Sequence, residues 1–449
     1  MTVIGFMPYC WRYYQLIRSI MEHAQFNHGL LNFLDSSPTP WHAVATIKAR
    51  LDEAGFAELD EKDEWSLEKG QGYYVIRNGS SIVAFRTGKG EVVESGIRMV
   101  GAHTDSPCLK VKPNPELRRK GFFQVGVEVY GGVLLNPWFD RDLSLAGRVT
   151  VLDDAGTVKD VLVNFSKPVA FIPSLAIHLD REANSNRSIN AQTDLPPVMM
   201  QVPDSDTTTF ASLLERQIAT EAGIGVRKVL GYELSFYDAR GASFVGLRDE
   251  FIASARLDNL LSCYIGLQAL LDTSADEPTL LVCNDHEEVG SVSAEGAQGP
   301  FLSALLDRWC GTEKSRVIAR SMMISADNAH GIHPNYMDRH DENHGPLINQ
   351  GPVIKVNHNQ RYATNSRSAG VYRHISDELG LPYQTFVVRS DMGCGSTIGP
   401  LTAGNLGVTT LDIGVPQLGM HSIREMTGTE DGYTLYRVMQ AFMQRPQIF

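Results

Sequence analysis

The sequence predicts an α/β fold with a mostly parallel sheet, interrupted by an inserted β-rich domain. In the first quarter and the second half of the chain, short apolar runs alternate with helical patterns, as in parallel strands joined by helices. Between about residues 111 and 237 there are instead many short strand-like runs separated by turn residues. A length of 449 residues also exceeds one ordinary hydrophobic core, which favours two domains.

The domain limits follow from these patterns. We expect a main domain made of residues 21–112 and 243–449, into which residues 113–242 are inserted. Residues 1–20 are apolar and aromatic, with two arginines as their only charges. The arginines lie within and after the apolar stretch, and no clear cleavage site follows, so the pattern is neither a secretory signal nor an uninterrupted membrane span. We interpret residues 1–20 as a short N-terminal extension.

The elements of the main domain are predicted from periodicity and turn residues. Asn78-Gly79 between two alternating runs is a hairpin signal, and Pro40 after Thr39 is typical of a helix start. Before the insertion we expect helices over residues 27–34 and 40–54 and strands over residues 73–77, 81–86 and 97–102. After it we expect a loop leading into a helix over 251–271, strands over 280–283, 321–325, 384–388 and 408–413, a helix over 366–379 and a C-terminal helix.

Charge and cysteine content disfavour several kinds of partner and site. The formal net charge of −12 argues against nucleic acid or an anionic membrane as a partner, because both bind basic surfaces. The six cysteines are scattered without a CxxC pair, which in a chain of this length indicates reduced thiols and no disulfide framework. We therefore expect a cytoplasmic protein that binds neither nucleic acid nor membranes.

A run of ionisable residues closely follows the predicted strand 280–283. Asp285, His286, Glu287 and Glu288 are consecutive there. Open α/β sheets bind ligands outside the carboxyl ends of their strands. Adjacent buried carboxylates need a metal ion or a proton to offset their repulsion. The simpler alternative is a solvated acidic turn.

Four other apolar runs end at potential metal ligands, directly or after a short turn. These residues are His103 with Asp105, Asp258, Asp327 and His421. With the glutamates they provide the donor set of a dinuclear site for Zn²⁺ or a similar metal. Two ions about 3.5–4 Å apart need a bridging carboxylate, a further pair of ligands each, and one unligated carboxylate as general base. Taken singly, a buried histidine is more often a hydrogen-bonded core residue, and an aspartate after a strand is more often a helix N-cap.

Five motifs in the sequence resemble those of the M18 aspartyl aminopeptidases, most of all the bacterial branch. They are GAHTDSP (101–107), ARLDN (255–259), DHEEVGS (285–291), SADNAH (325–330) and MHSIRE (420–425). The resemblance extends from about Gly29 to the C-terminal helix, so it includes the inserted region. It implies an aminopeptidase that removes N-terminal Asp and Glu from peptides with two divalent ions per subunit. Zn²⁺ is the preferred metal, and Co²⁺ or Mn²⁺ are alternatives.

The resemblance also implies roles for individual residues. The implied metal ligands are Asp258 as the bridge, His103 and Asp327 at one site, and Glu288 and His421 at the other. Glu287 is implied to be the general base that takes a proton from water. Asp105 is implied to orient the His103 ring without binding the metal.

By the same resemblance, the inserted region is the dimerisation domain of a homododecamer built from dimers. Its segment around His178 matches a family segment whose histidine reaches the active site of a neighbouring subunit. Lys355 occupies the place of the cation that binds the acidic side chain of the substrate, with Arg389 as the second candidate. Tyr362 is a weaker candidate for substrate contact. Without the resemblance, His178 and Lys355 would be taken as ordinary surface residues.

Other features have competing interpretations. The glycine-rich loop 391–400 can present backbone N–H groups to a substrate carboxylate, but it lacks the lysine of a Walker motif. Cys394 in this loop has no assigned base, which disfavours it as a nucleophile. The four histidines between residues 330 and 344 are too irregularly spaced for a third metal site. Two other functions are open: a related dinuclear hydrolase, such as a carboxypeptidase or deacylase, and a non-enzymatic protein stabilised by metal.

Overall fold

The computed structural model of the protein describes residues 7–449, with side chains from residue 21 onward. The expectation about residues 1–20 therefore lies outside the fully described residues. The helices are α1 Met7–Asp35, α2 Pro40–Glu53, α3 Val92–Ser95, α4 Phe210–Glu221, α5 Leu257–Leu271, α6 Phe301–Cys310, α7 Lys314–Arg320, α8 Ser366–Leu379, α9 Ile398–Leu406 and α10 Thr429–Met443. The strands are β1 Ala57–Glu58, β2 Gly72–Arg77, β3 Ser81–Arg86, β4 Arg98–His103, β5 Cys108–Arg119, β6 Phe122–Tyr130, β7 Leu143–Asp153, β8 Val158–Asn164, β9 Val198–Gln201, β10 Val226–Asp238, β11 Ser243–Val245, β12 Phe251–Ser254, β13 Thr279–Asn284, β14 Met322–Ala326, β15 Ala329–His330, β16 Val353–Lys355, β17 Gln384–Phe386, β18 Thr409–Gly414, β19 Pro416–Leu418 and β20 Glu425–Gly428.

The largest sheet has the strand order β1-β2-β3-β13-β4-β14-β18-β16-β17. Its central strands β13, β4, β14 and β18 are parallel neighbours, so their carboxyl ends lie at one edge. Helices α1, α2, α5, α8 and α10 pack against one face, and α6, α7 and α9 pack against the other. Burial on both faces explains why these strands are continuous apolar runs. The predicted α/β fold with a mostly parallel sheet is confirmed.

A second sheet, in the order β8-β7-β10-β5-β6-β9, is antiparallel throughout. It packs with α4 around a separate apolar core that includes Phe123, Leu145 and Leu214. Strand β5 begins at Cys108 and β10 ends at Asp238. The expected insertion of residues 113–242 thus contains most of this sheet, and its first limit lies within β5.

A smaller sheet, in the order β11-β12-β20-β19-β15, joins distant parts of the main domain. Residues 251–254 form its strand β12, where the sequence predicted a loop. They pair with β11, which lies just before them, and with β20 near the C-terminus, and no local pattern reveals the second contact. This pairing brings the segment after β12 beside the turn between β19 and β20.

Most other predicted elements are confirmed. Helix α2 begins at Pro40 after Thr39, and β2 and β3 form the hairpin around Asn78-Gly79. Strand β13 and helix α8 contain the segments predicted for them. Across the described residues, no helix has the length and apolar character that a membrane crossing requires. The cysteines of the described side chains are all free thiols.

Candidate metal centre

Three strands of the main sheet deliver candidate ligands to one edge. His103 is the last residue of β4, and Asp327 directly follows β14. Glu287 and Glu288 begin a single 3₁₀ turn just beyond β13. These side chains meet because the three strands are parallel neighbours that end at the same level. Gly290, with a φ of 96°, lets the chain turn directly after the glutamates.

Asp258 and His421 approach from the smaller sheet. Asp258 lies at the start of α5, and the peptide bond that follows it is cis. His421 lies in the turn between β19 and β20. Asp258 Oδ1 is 3.4 Å from His103 Nε2, and Asp258 Oδ2 is 3.6 Å from His421 Nε2. One carboxylate oxygen therefore faces each imidazole, as in a bridging ligand.

The remaining candidates divide between the two histidines. Asp327 Oδ1 is 3.7 Å from His103 Nε2, and Glu288 Oε2 is 3.4 Å from His421 Nε2. Two groups of three donors result, each with mutual distances within 4.8 Å, and both contain Asp258. A third such group includes Glu287, but Glu287 Oε2 is 4.0 Å from His103 Nε2, farther than either aspartate. The residues of the first two groups are called the ligand cluster below: His103, Asp258, Glu288, Asp327 and His421.

Backbone carbonyls orient both imidazoles. His103 Nδ1 is 3.0 Å from the carbonyl oxygen of Asp105, and His421 Nδ1 is 3.0 Å from that of Gly132. A carbonyl oxygen only accepts hydrogen bonds, so each Nδ1 donates and each Nε2 faces the carboxylates. Metal-binding histidines are commonly held in this way through the ring nitrogen that does not bind the metal.

The ligand cluster concentrates negative charge. Burial lowers the pKa of His103, but the carboxylates of Asp105, Asp258 and Asp327 beside its ring outweigh burial and raise the pKa. Burial and the nearby carboxylates, opposed by His103, raise the pKa of Glu287 to about 7. The same two effects raise the pKa of Glu288 well above its ordinary value. The cluster therefore favours additional positive charge.

Two buried oxygens of the cluster show where that charge is needed. Among the described residues, neither Asp258 Oδ1 nor Glu288 Oε1 has a hydrogen-bond partner. A buried carboxylate oxygen is costly unless a cation or a donor neutralises it. Imidazole nitrogens and carboxylate oxygens together suit Zn²⁺ and related divalent metals. The residues present therefore fit bound metal ions.

Asp105 lies beneath the turn that carries the glutamates. It accepts hydrogen bonds from the N–H groups of Glu287 and Glu288, both at 3.1 Å, and from the Tyr130 hydroxyl at 2.7 Å. Its Oδ1 is also 3.4 Å from His103 Nδ1. Asp105 thus holds the His103 ring and the glutamate turn in one arrangement.

A cleft of about 460 Å³ opens beside the ligand cluster. Lys355 and Tyr362 line it, with Lys355 Nζ 5.4 Å from the centre of the Tyr362 ring. Lys355 is 4% exposed, and its Nζ is 3.5 Å from Asp327 Oδ2. Both residues are therefore brought to the cluster.

The remaining candidates differ in whether they reach the cleft. The Arg389 guanidinium is occupied by Asp391, at 2.9 and 2.7 Å, and it does not line the cleft. His178 lies in an exposed turn of the insertion, away from the cluster of its own chain. His330 lines the cleft, but none of the four histidines from 330 to 344 belongs to a metal-binding group of the described residues. The glycine-rich loop lines part of the cleft through Gly395, Ser396 and Thr397.

The sequence indicated no role for two residues next to the cluster, the half-buried Tyr130 and the buried Glu425. Tyr130 reaches Asp105 from β6, and no local signal marks it. Glu425 accepts backbone hydrogen bonds from Asp258 and His421. Its place at the end of the MHSIRE motif was the one available signal.

Comparison with known proteins identifies the family. The family model described as aminopeptidase I zinc metalloprotease (M18) matches residues 33–443. A probable M18 family aminopeptidase 2 of Ectopseudomonas mendocina (strain ymp) is 60% identical over 422 residues, which cover 94% of this chain and 98% of that relative. The protein of the same name from Pseudomonas syringae pv. syringae (strain B728a) is 59% identical over 421 residues, covering 93% and 98%.

Solved structures share the fold. The cryo-EM structure of the Ape4 and Nbr1 complex contains a chain that is 39% identical, with a TM-score of 0.91 and coverage of 94% of this chain and 86% of that chain. Chaetomium thermophilum mApe1 is 32% identical, with a TM-score of 0.83 and coverage of 94% and 98%. The resemblance to the M18 aminopeptidases and the expectation of a zinc-type metallopeptidase are confirmed. The chain therefore belongs to the M18 family of aminopeptidase I zinc metalloproteases and is a metal-dependent aminopeptidase.

Proposed function

We propose that the protein is a dinuclear aminopeptidase that removes N-terminal Asp and Glu from peptides. Asp258 would bridge the two ions, and the terminal ligands would be His103 and Asp327 at one ion and Glu288 and His421 at the other. When bound, such ions lower the pKa of a water molecule and polarise the scissile carbonyl. The observation that carries this proposal is the Asp258 carboxylate, which turns one oxygen toward each imidazole. Zn²⁺ is the expected metal, with Co²⁺ or Mn²⁺ as alternatives.

Glu287 is the proposed general base. Its carboxylate lines the cleft and lies farther from His103 Nε2 than the carboxylates of Asp258 and Asp327. It therefore keeps an oxygen available to take a proton from the attacking water and return it to the leaving amine. The hydrogen bond from its N–H to Asp105 fixes the backbone that carries this carboxylate.

Lys355 is the proposed partner of the substrate's acidic side chain. Its ammonium is buried in the cleft lining, where a charge-assisted hydrogen bond to a carboxylate is stronger than in water. Asp327, 3.5 Å away, and the ring of Tyr362 hold the ammonium in position. A neutral side chain would not provide the carboxylate that this proposal pairs with Lys355.

The insertion is the proposed dimerisation domain of a homododecamer. Leu175, Ile177 and Leu179, around His178, are 58%, 48% and 75% exposed, an apolar group suited to contact with another subunit. His178 is proposed to reach a neighbouring cleft and stabilise the developing oxyanion. The mApe1 of S. cerevesiae, 28% identical with a TM-score of 0.82, has been solved as a dodecamer.

Peptide assays and metal analysis test this function. Peptides with N-terminal Asp and Glu should be cleaved much faster than those with Leu or Lys. Equal rates on Leu termini would contradict the acidic preference, and release of C-terminal residues or acyl groups would favour the related dinuclear hydrolases. After dialysis, two ions per subunit are expected, and a single ion would contradict the dinuclear site.

A further inference from the structure

We propose that Glu425 is a positioning residue that holds two metal ligands from different segments of the chain. This inference rests on the proposed function, because it takes Asp258 and His421 as metal ligands. Glu425 is the first residue of β20 and is 2% exposed. It lies too deep to contact substrate, so its influence must act through the residues that it binds.

Each carboxylate oxygen of Glu425 accepts one backbone N–H from a ligand. The N–H of Asp258 donates to Oε2 at 3.0 Å, and the N–H of His421 donates to Oε1 at 2.7 Å. Asp258 lies in the first turn of helix α5, whereas His421 belongs to the turn before β20. One carboxylate therefore fixes the backbones of two ligands whose side chains must meet at the same ion.

The contact extends toward a third ligand. Gln417 donates from Nε2 to Glu425 Oε1 at 3.3 Å, and its Oε1 accepts from Asn328 Nδ2 at 2.6 Å. Asn328 directly follows the ligand Asp327. Gln417 and Asn328 are as buried as Glu425, so water does not compete for these bonds.

The chemistry of the position requires a carboxylate. A glutamine has a single acceptor oxygen, so it can receive one of the two backbone N–H groups and turns an NH₂ group toward the other. Among residues 21–449, no Lys or Arg forms an ion pair with Glu425, although a buried charge is costly without a partner. Divalent ions at the ligand cluster would provide the compensating positive charge.

Asp431 provides a matched control. It is fully buried and accepts two backbone N–H groups, from Asn349 at 2.6 Å and Gly351 at 2.7 Å. Neither donor belongs to the ligand cluster. Asp431→Asn therefore reproduces the loss of a buried, doubly hydrogen-bonded carboxylate without touching a metal ligand.

The test compares Glu425→Gln, Asp431→Asn and the unaltered full-length protein. Metal is removed, Co²⁺ is titrated while its visible d–d absorption is followed, and zinc per subunit is measured after dialysis. Glu425→Gln should weaken binding of the ion held by Asp258, Glu288 and His421 by about 10–100-fold and retain about one zinc. Asp431→Asn should retain two ions with unchanged affinity, even if its melting temperature falls.

If Glu425→Gln folds and retains both ions with unaltered affinity, the inference is overturned. If Asp431→Asn loses an ion to the same extent, the effect is general destabilisation and the inference is again overturned. If Glu425→Gln does not fold, Glu425→Asp carries the same test. Its shorter side chain keeps the charge but reaches one backbone N–H, so it should weaken the same ion, and unchanged binding would overturn the inference. Two other results would instead refute the proposed function. One is that the unaltered protein does not bind two ions, and the other is that His421→Ala does not lose an ion.

Discussion

At the scale of the residue, Glu287 and Glu288 are neighbours in sequence with different surroundings. Glu288 Oε2 is 3.4 Å from His421 Nε2, and its other oxygen has no partner among the described residues. Glu287 lines the cleft and lies at 4.0 Å from His103 Nε2. Their backbone N–H groups are both held by Asp105, so the turn fixes which carboxylate faces each histidine.

The first prediction concerns the proposed base. Glu287→Gln preserves the shape of the side chain but cannot accept a proton, so kcat should fall by about 10²–10⁴-fold with little change in metal content. Steady-state kinetics and zinc analysis on the same preparation measure both effects. Glu295→Gln, which changes a glutamate of the following loop outside the cleft lining, should keep full activity. A fully active Glu287→Gln variant would refute the role of Glu287.

The second prediction concerns specificity. Lys355→Met removes the buried ammonium but keeps an apolar stem, so KM for Asp- and Glu-terminal peptides should rise about 10–100-fold, with a smaller change for Leu-terminal peptides. Arg389→Met is the matched control, because its guanidinium is already paired with Asp391 outside the cleft. Equal losses on acidic and neutral peptides would remove Lys355 from substrate recognition.

The sequence predicted the ionisable residues of the site better than their supports. Each ligand candidate directly follows an apolar run or a short turn, which is a local signal. Glu425 and Tyr130 act through partners that are far away in sequence, so spacing could not identify them. The sequence also did not show which of Lys355 and Arg389 is buried. In the structure Arg389 is paired with Asp391, so it is not the buried cation.

At the scale of the element, strands that are apolar throughout were predicted well, because burial on both faces of a parallel sheet leaves a continuous run. Strand β12 was missed because it lies between β11 and β20, and β20 is more than half of the main domain later in sequence. The limits of the insertion were approximate for a related reason. Strand β5 begins at Cys108, before the expected limit at residue 113, and is paired within the second sheet from that residue onward.

Helix α2 provides a prediction on pH and stability. Burial, and next the charge of Arg256, lower the pKa of His42 to about 4, against about 6.5 in an unfolded chain. Between these values the unfolded chain binds more protons, so the stabilising effect is complete above pH 6.5 and is lost as the pH falls toward 4. From pH 6.5 to 5, His42 should therefore contribute a loss of about 2 kcal/mol.

Urea denaturation at both pH values measures this loss. His42→Gln cannot titrate, so the variant should lose less stability than the unaltered protein over the same interval. An identical pH dependence for His42→Gln and the unaltered protein would contradict the assignment.

At the scale of the whole molecule, the insertion contributes to the site in two ways. Within one chain, the carbonyl oxygen of Gly132 orients His421, and Tyr130 binds Asp105. Between chains, we propose that the exposed apolar turn around His178 contacts a neighbouring subunit. Assembly and catalysis would then depend on the same inserted domain.

This dependence gives a prediction. Leu179→Asp adds a charge to the turn, so it should reduce the assembled mass measured by light scattering and lower kcat because His178 no longer reaches a neighbour. Leu247→Asp changes a fully exposed leucine of the main domain and should leave both mass and activity unchanged. Normal assembly of Leu179→Asp would exclude this turn from the subunit contact.

The most direct measurement of the central claim is a zinc-edge anomalous map from crystals of the zinc-loaded protein. We expect two peaks about 3.5–4 Å apart, with the Asp258 carboxylate between them and Glu287 bound to neither. One peak, or Glu287 in place of Glu288 as a ligand, would contradict the dinuclear site with Glu287 as its base.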